Sequence, residues 1–294
     1  MENSPLVSIG MPVYNGEKHL PRALASLLNQ SYINFEILIS DNASADGTEE
    51  ICKKFARQDK RIHYFRNQEN IGAWANFQRV LELARGEYFM WAACDDCWMP
   101  DFLSALITEL ETNREAVVAM SAVQRVWDDG ETIDTVRFHG SADPRTMSAF
   151  KLAMALASGR PYHLYIYGVY RTSFIKHASR YLLKDVVGAD RLFICLISLV
   201  KPFGYVDQVL HVRQVNRTPI QERYKYESLG HVWRDRFGKE KMVWVAGSYL
   251  WKSPLIPRER KIYIPFVLAR LALHVGVSRL RRTLYGVQGL LKVN

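Results

Sequence analysis

Cysteine is scarce. Cys52, Cys94, Cys97 and Cys195 are spread through 294 residues. That is too sparse for a disulfide framework, and a reducing compartment suits the chain better. Cys94 and Cys97 make one C-x-x-C, but no second pair or nearby histidines complete a structural zinc site. Two small thiols, buried or half-buried, account for them. The N-terminus, MENSPLVSIG, lacks the basic start and apolar run of a secretory signal. No stretch has the unbroken apolar length of a spanning helix, and the nearest, IYIPFVLARLALHVGV, is cut by Pro265 and Arg270. Internal repeats and low-complexity tracts are missing. Acid is the minority charge: 30 Asp and Glu against 39 Lys and Arg, a net +9. A basic surface favours anionic partners, whether phosphate-bearing ligands, nucleic acid or anionic lipid.

The first half of the chain alternates between two periods. LVSIGMP, FEILISD, RIHYFRN and EYFMWAA read as buried strands. Between them HLPRALASLLNQ, DGTEEICKKFARQ and GAWANFQRVLELARG carry apolar residues at helical spacing. PDFLSALITELETN then predicts a helix and AVVAMSAV a further strand. Strand and helix in turn, with short connections, predict a mostly parallel sheet covered on both faces, an α/β fold. Further on, VWDDGETIDTV predicts a hairpin turning at Asp129 and Gly130. TMSAFKLAMALAS is expected to be a helix, YHLYIYGVYRTSF a strand leading into a turn, GADRLFICLISLV a short helix and YVDQVLHVR extended. From about Pro219 the pattern is helical to the end.

Ligands of parallel α/β sheets bind beyond the carboxyl ends of the strands. There the sequence places PVYNG after the first strand, DNASADGT after the second, Asn67 and ENIG after the third, and Asp95 with Asp96 after the fourth. Each has a purely structural explanation. Asp46 with Glu49 fits a capping box, Asp41, Asn42 and Ser44 are turn formers, and the two aspartates suit the start of a helix near Pro100. Four such segments at successive strand ends point instead to a binding rim. A nucleoside diphosphate suits it: paired carboxylates hold a hard divalent cation, Mg²⁺ or Mn²⁺, against phosphate oxygens. Asp41 is placed to accept the imide proton of uracil, and the ring of Tyr14 to pack on the base.

PVYN, SDNASADGT, ENIGAWANF, ARGEYFMWAACDD and WMPDFL together resemble the family 2 glycosyltransferases, with their GT-A nucleotide-sugar fold. A weaker second block, IYGVYRTS, GADRLFICL and LHVR, extends the resemblance to about Arg213. It implies that Pro12, Tyr14, Asn15, Asp41, Asn70 and Asp95 bind the nucleotide. It gives the metal to Asp96, with Asp95 contacting ribose or the metal shell. Asp190 falls at the position of the catalytic base, and Gly168, Arg171 and Arg213 at contacts to acceptor or diphosphate. Two departures stand out. Where the family often has a histidine after an arginine, this chain has Val215 or Asn216, with Arg213 and Arg217 as substitutes by charge. Cys94 replaces a more usual polar residue. The implied reaction is metal-dependent, inverting transfer from a nucleotide sugar, a UDP-sugar as the default, to a hydroxyl of a glycan or lipid-linked acceptor. A non-catalytic nucleotide-sugar-binding component of a polysaccharide assembly system is the alternative. Nucleic-acid binding has only net charge in its favour, and the acidic rim opposes it.

Residues 1–215 are expected to form the nucleotide-sugar domain and 216–294 a helical extension. In the extension Ile262, Phe266, Ala269, Leu273, Val277, Leu280, Leu284, Val287 and Leu291 make an apolar stripe flanked by Lys261, Arg270, Arg279, Arg281, Arg282 and Lys292. Such a helix packs on protein or lies in an anionic membrane interface. The upstream KMVWVAGSYLWKSPL offers tryptophans to the same surface. The expected location is the cytoplasm, with the inner face of the cell membrane open to it through this helix.

Overall fold

The computed structural model describes residues 4–159, 161–181, 189–215, 217 and 246–274. They divide into two compact units that interleave along the chain. The first takes the residues up to Thr146, Leu164–Arg180 and 201–217; the second takes Met147–His163, Tyr181–Val200 and 246–274. The expected boundary between 215 and 216 falls within the last stretch of the first unit.

The first unit is built on β1 (Val7–Val13), β2 (Phe35–Asp41), β3 (Ile62–Arg66) and β4 (Tyr88–Trp91), paired in parallel in the order β3-β2-β1-β4. All seven residues of β2 are buried, as expected of an inner strand covered on both faces. Between the strands run α1 (Leu20–Leu28), α2 (Thr48–Gln58) and α3 (Ala73–Leu83). α1 buries Leu20, Ala23, Leu24 and Leu27, a helical stripe against the sheet. At Gly10 a side chain would collide with Val80 of α3 and Phe89 of β4, so a bare α-carbon lets that helix close on the sheet.

Beyond β4 come β5 (Cys97–Trp98), α4 (Phe102–Thr112), β6 (Val118–Trp127) and β7 (Thr132–Val136). β6 and β7 form the expected hairpin, with Gly130 at φ +90° in its turn. The sheet is completed by β8 (Val169–Arg171) and β9 (Phe203–Val215), in the order β3-β2-β1-β4-β8-β6-β9-β5, with β7 on β6. β6 and β9 are parallel along most of their length, and the antiparallel insertions β5 and β8 are short. The mostly parallel α/β sheet expected from the sequence is therefore present.

The strand expected over YHLYIYGVYRTSF is corrected. Pro161–Tyr167 is a 3-10 helix, only Val169–Arg171 is extended, and Thr172–Ala178 is α6. Tyr162, Leu164, Tyr165 and Tyr170 are all buried, so the aromatic spacing marks core contacts rather than strand alternation. Gly168 explains the turn: a β-carbon there would lie 2.5 Å from the Ala119 carbonyl.

The second unit contains α5 (Ala149–Ala157), whose N-cap Ser148 accepts the Lys151 N–H, and α7 (Ala189–Ser198). Residues 246–252 and 264–274 are helical. The rest of the C-terminal stripe, from Val277 on, lies outside the described residues. Among the described residues no helix is long and apolar enough to cross a membrane.

Candidate functional site

The carboxyl ends of β1 to β4 lie together on the first unit, and their loops are tied to each other. Asn15, at φ +51°, gives its N–H to Ser44 Oγ at 2.8 Å and takes the Ala45 N–H on Oδ1 at 2.9 Å. Gly16 N–H donates to Thr48 Oγ1, Glu17 N–H to Asp46 Oδ2, and Gly47 N–H to Glu17 Oε2. The YNG turn is thus fastened to the ADGT turn. Asn15, expected to line the base pocket, acts here as a fastener. Pro12 is half-buried at the end of β1, and Tyr14 is 40 % exposed with its ring available to a ligand.

The capping box is not formed: Gly47 is the N-cap of α2 and no side chain caps it. Asp46 instead accepts Thr48 N–H and Oγ, the latter at 2.5 Å. Burial pushes the Asp46 carboxyl up, but these donors and the Glu17 N–H outweigh it and hold it below the usual range. Glu49 pairs with Lys53 and Arg66.

Asp41, expected to read the base edge, is fully buried. Its Oδ1 accepts the Ser44 N–H, while Oδ2 accepts Tyr64 Oη at 2.8 Å and Arg66 Nη1 at 2.9 Å. The carboxylate holds the β2 loop from inside and offers the rim no surface. Asn42, Asn67 and Asn76 continue this interior. Asn42 takes the N–H of Ile71 and the amide of Asn67, and Ser40 Oγ donates to Asn76 Oδ1 at 2.6 Å. Asn70 is exposed, but its Oδ1 accepts from Asn42 Nδ2 and Gly72 N–H.

The adjacent acids part company. Asp95 is half-buried. Asp96 is 2 % exposed; its Oδ2 lies 2.9 Å from His211 Nε2 and its Oδ1 accepts the Gln214 N–H at 2.9 Å. Arg22 Nη2 donates to the Asp95 carbonyl at 3.2 Å and to Gln214 Oε1. Burial pushes the Cys94 thiol up to about 12, with the charges of Asp95 and Asp96 adding to the shift, so that side chain is an unreactive filler.

A divalent ion beside phosphate oxygens and water needs only one or two carboxylates, and of the two adjacent acids Asp95 is the less enclosed. Asp96 is the more enclosed, with one hydrogen-bond contact on each carboxylate oxygen. Among the described residues no three His, Cys, Asp or Glu side chains gather into a metal cluster.

Three further residues are placed by the structure. Arg171, expected at a ligand, donates from Nε to the Ala116 carbonyl, from Nη1 to Tyr88 Oη and from Nη2 to the Leu110 carbonyl. It secures the end of α4 to β4, and Gly168 beside it is accounted for by its approach to β6. Arg213 lies over the Tyr167 ring, 5.3 Å from its centroid. Arg217, the other substitute cation, pairs with Asp129 and Glu131 and covers Trp127. Asn216 lies outside the described residues. Asp190 is half-buried in the first turn of α7, on the second unit. Sequence reading missed Arg66, His211, Gln214 and Arg22. Arg66 carries a usable signal, a cation ending a strand beside an acid-ended one, whereas His211 looks like any polar residue in VLHVR.

The model of glycosyl transferase family 2 matches residues 8–171. TuaG of Bacillus subtilis (strain 168), named for teichuronic acid biosynthesis, is 32% identical over 130 residues, 44% of this chain and 51% of that protein. WcaA of Escherichia coli (strain K12), named for colanic acid biosynthesis, is 38% identical over 107 residues, 36% of this chain and 38% of that one. The shared stretch thus spans about half of the first and less of the second. The structure of S. aureus TarS 1-349 in complex with UDP-GlcNAc superposes with a TM-score of 0.66 at 16% identity, covering 90% of this chain and 72% of that one. The mannosyltransferase PcManGT from Pyrobaculum calidifontis, in complex with GDP-Man and Mn²⁺, gives 0.55 at 17% identity, covering 99% and 81%. At these identities the structural likeness is one of fold.

Proposed function

Because this chain belongs to glycosyl transferase family 2, we propose that it transfers a sugar from a nucleoside diphosphate sugar to a hydroxyl of a glycan or lipid-linked acceptor. The observation that carries this reading is the tied rim at the carboxyl ends of β1 to β4, with Tyr14 open above it and Asp95 at its edge. Tyr14 stacks on the base and Pro12 shapes the wall beneath. Uridine is the first choice of base, a choice supported by TarS binding UDP-GlcNAc; guanosine is the second, since PcManGT binds GDP-Man. Asp95 would hold Mn²⁺ or Mg²⁺, which supplies charge neutralisation on the departing diphosphate. Arg213 adds a cation for the same charge. A base takes the proton of the acceptor hydroxyl as that oxygen attacks the anomeric carbon from the opposite side, a single displacement with inversion, and the family resemblance assigns that base to Asp190.

A lipid-linked acceptor suits the second unit, where Trp251, Ile262, Phe266 and Leu273 are exposed among Lys252, Lys261 and Arg270. Flotation with anionic vesicles tests that contact, and retention equal to that on neutral vesicles speaks against it.

The deciding experiment screens nucleotide sugars for thermal stabilisation, with and without Mn²⁺, because a bound donor raises apparent stability by mass action. The best donor is then offered to Asp190→Asn. Donor binding is expected to persist while transfer falls by about 10²-fold or more. A wild type that binds donors without ever transferring sugar points to the non-catalytic assembly component.

A further inference from the structure

The carboxyl end of β9 belongs to the same rim. β9 runs parallel to β6, β6 antiparallel to β8 and β8 antiparallel to β4, so β9 points the way β1 to β4 do. Its last residues are tied there, because the Gln214 N–H donates at 2.9 Å to Asp96 Oδ1 in the loop after β4. Arg213 stands one residue earlier, on the side of the strand that also carries His211. Tyr167 packs beside both. Its ring centroid lies 6.2 Å from that of His211 and 5.3 Å from the Arg213 guanidinium carbon.

The acids around this strand end are committed to other partners. Arg125, opposite Arg213 in the register, pairs with Asp134. Arg217 pairs with Asp129 and Glu131, and Asp96 with His211. The Arg213 side chain is half-buried and makes no hydrogen bond or ion pair among the described residues; its contact is the Tyr167 ring. An aromatic face attracts the cation but accepts none of its in-plane N–H groups. A guanidinium packed on a ring therefore keeps its planar set of donors, and phosphate oxygens fit that set two at a time.

We propose that Tyr167 is a positioning residue that holds Arg213 as a fork for the β-phosphate of the donor, so that the chain prefers a nucleoside diphosphate to its monophosphate even without a divalent ion. The assignment rests on the nucleoside diphosphate sugar reading above. It separates the two arginines that stand in by charge for a histidine after β9. Arg217 is spent on the β6–β7 hairpin, and Arg213 is left for the ligand. The contact needs no metal, because the guanidinium carries its charge at every pH of interest.

The test measures binding of UDP and UMP, and of GDP and GMP, by calorimetry on the full chain in EDTA, with melting temperature read for every variant. Wild type is expected to bind the diphosphate about tenfold more tightly than the monophosphate. Arg213→Gln is expected to shrink that ratio to about twofold or less while monophosphate affinity stays put. Tyr167→Phe keeps the aromatic face and is expected to keep the ratio. Tyr167→Leu fills similar space without a π face and is expected to lose most of it. A merely structural role for Tyr167 would lower the melting temperature and weaken both nucleotides alike, leaving their ratio unchanged. If Tyr167→Leu does not fold, Arg213→Lys decides, since it keeps the charge but neither the planar fork nor its stacking, and it too is expected to lose most of the ratio. A ratio kept in Arg213→Gln overturns the fork. A ratio kept in Tyr167→Leu or in Arg213→Lys overturns the positioning role. Wild type that binds diphosphate and monophosphate equally in EDTA overturns the inference and leaves the donor reading standing. A wild type that binds none of the four nucleotides, with Mn²⁺ or without it, defeats the donor reading first and this inference with it.

Discussion

Arg66 lies 2.9 Å from the buried carboxylate of Asp41, and its two terminal nitrogens also reach the Ser44 carbonyl, each at 3.1 Å. Together they lock the turn that Asn15 and Thr48 then fasten to the end of β1. Asp41 is thus the internal support of the rim. Asp41→Ala strands the Ser44 N–H, the Tyr64 hydroxyl and Arg66, and is expected to cost on the order of 3 kcal/mol. Urea unfolding measures it. Undiminished stability together with lost nucleotide binding would return Asp41 to the surface of the base pocket.

Arg171 makes the same distinction elsewhere. Its three donations go to Ala116, Leu110 and Tyr88, whose hydroxyl in turn bonds Glu111. Arg171→Met leaves two carbonyls without their donor and is expected to lower stability by about 2 kcal/mol. UDP affinity should be unchanged. A ligand contact would show the opposite pattern, weaker binding at constant melting temperature.

Tyr14 is the reverse case, an aromatic ring with exposed surface and no part in the core. Stacking of a base on an aromatic side chain is worth about 1–3 kcal/mol. Tyr14→Ala is expected to weaken UDP binding about tenfold and to leave the melting temperature where it was, whereas Tyr14→Phe should bind nearly as wild type. Calorimetry distinguishes the two variants directly.

Acid should loosen the first unit through Glu36. Burial pushes this carboxyl up, but Arg85, through its side chain and its N–H, and the Ser8 hydroxyl at 2.7 Å outweigh burial and hold it below the usual range. A carboxyl lower in the folded than in the unfolded chain stabilises fully above its unfolded value, and that stabilisation is lost as pH falls through the folded value. The unfolded value is about 4.3, so the melting temperature is expected to decline below about pH 4. Glu36→Gln should flatten that decline in a thermal scan repeated across pH.

Much of the fold is legible in the amino-acid order. The strands over FEILISD and LVSIGMP and the stripe of α1 follow from periodicities repeated within a few residues. The rim is legible as well, because polar turns must follow buried strands and parallel topology sends them to one edge. YHLYIYGVYRTSF misleads because its aromatics are spaced like a strand while the backbone coils beside Gly168. β5 escapes notice because two residues carry no period.

The sequence by itself determined which residues gather on the rim: local geometry sets where each strand ends. It also determined the family, through the motifs on that rim. Only the tertiary structure decided which of those residues face outward. Asp41 and Asp96 look as exposed as Asp95 on paper, yet Arg66 and Tyr64 enclose the first and His211, 115 positions further along, encloses the second. Burial of a carboxylate depends on donors delivered by distant strands, and no period within its own segment records where those donors come from.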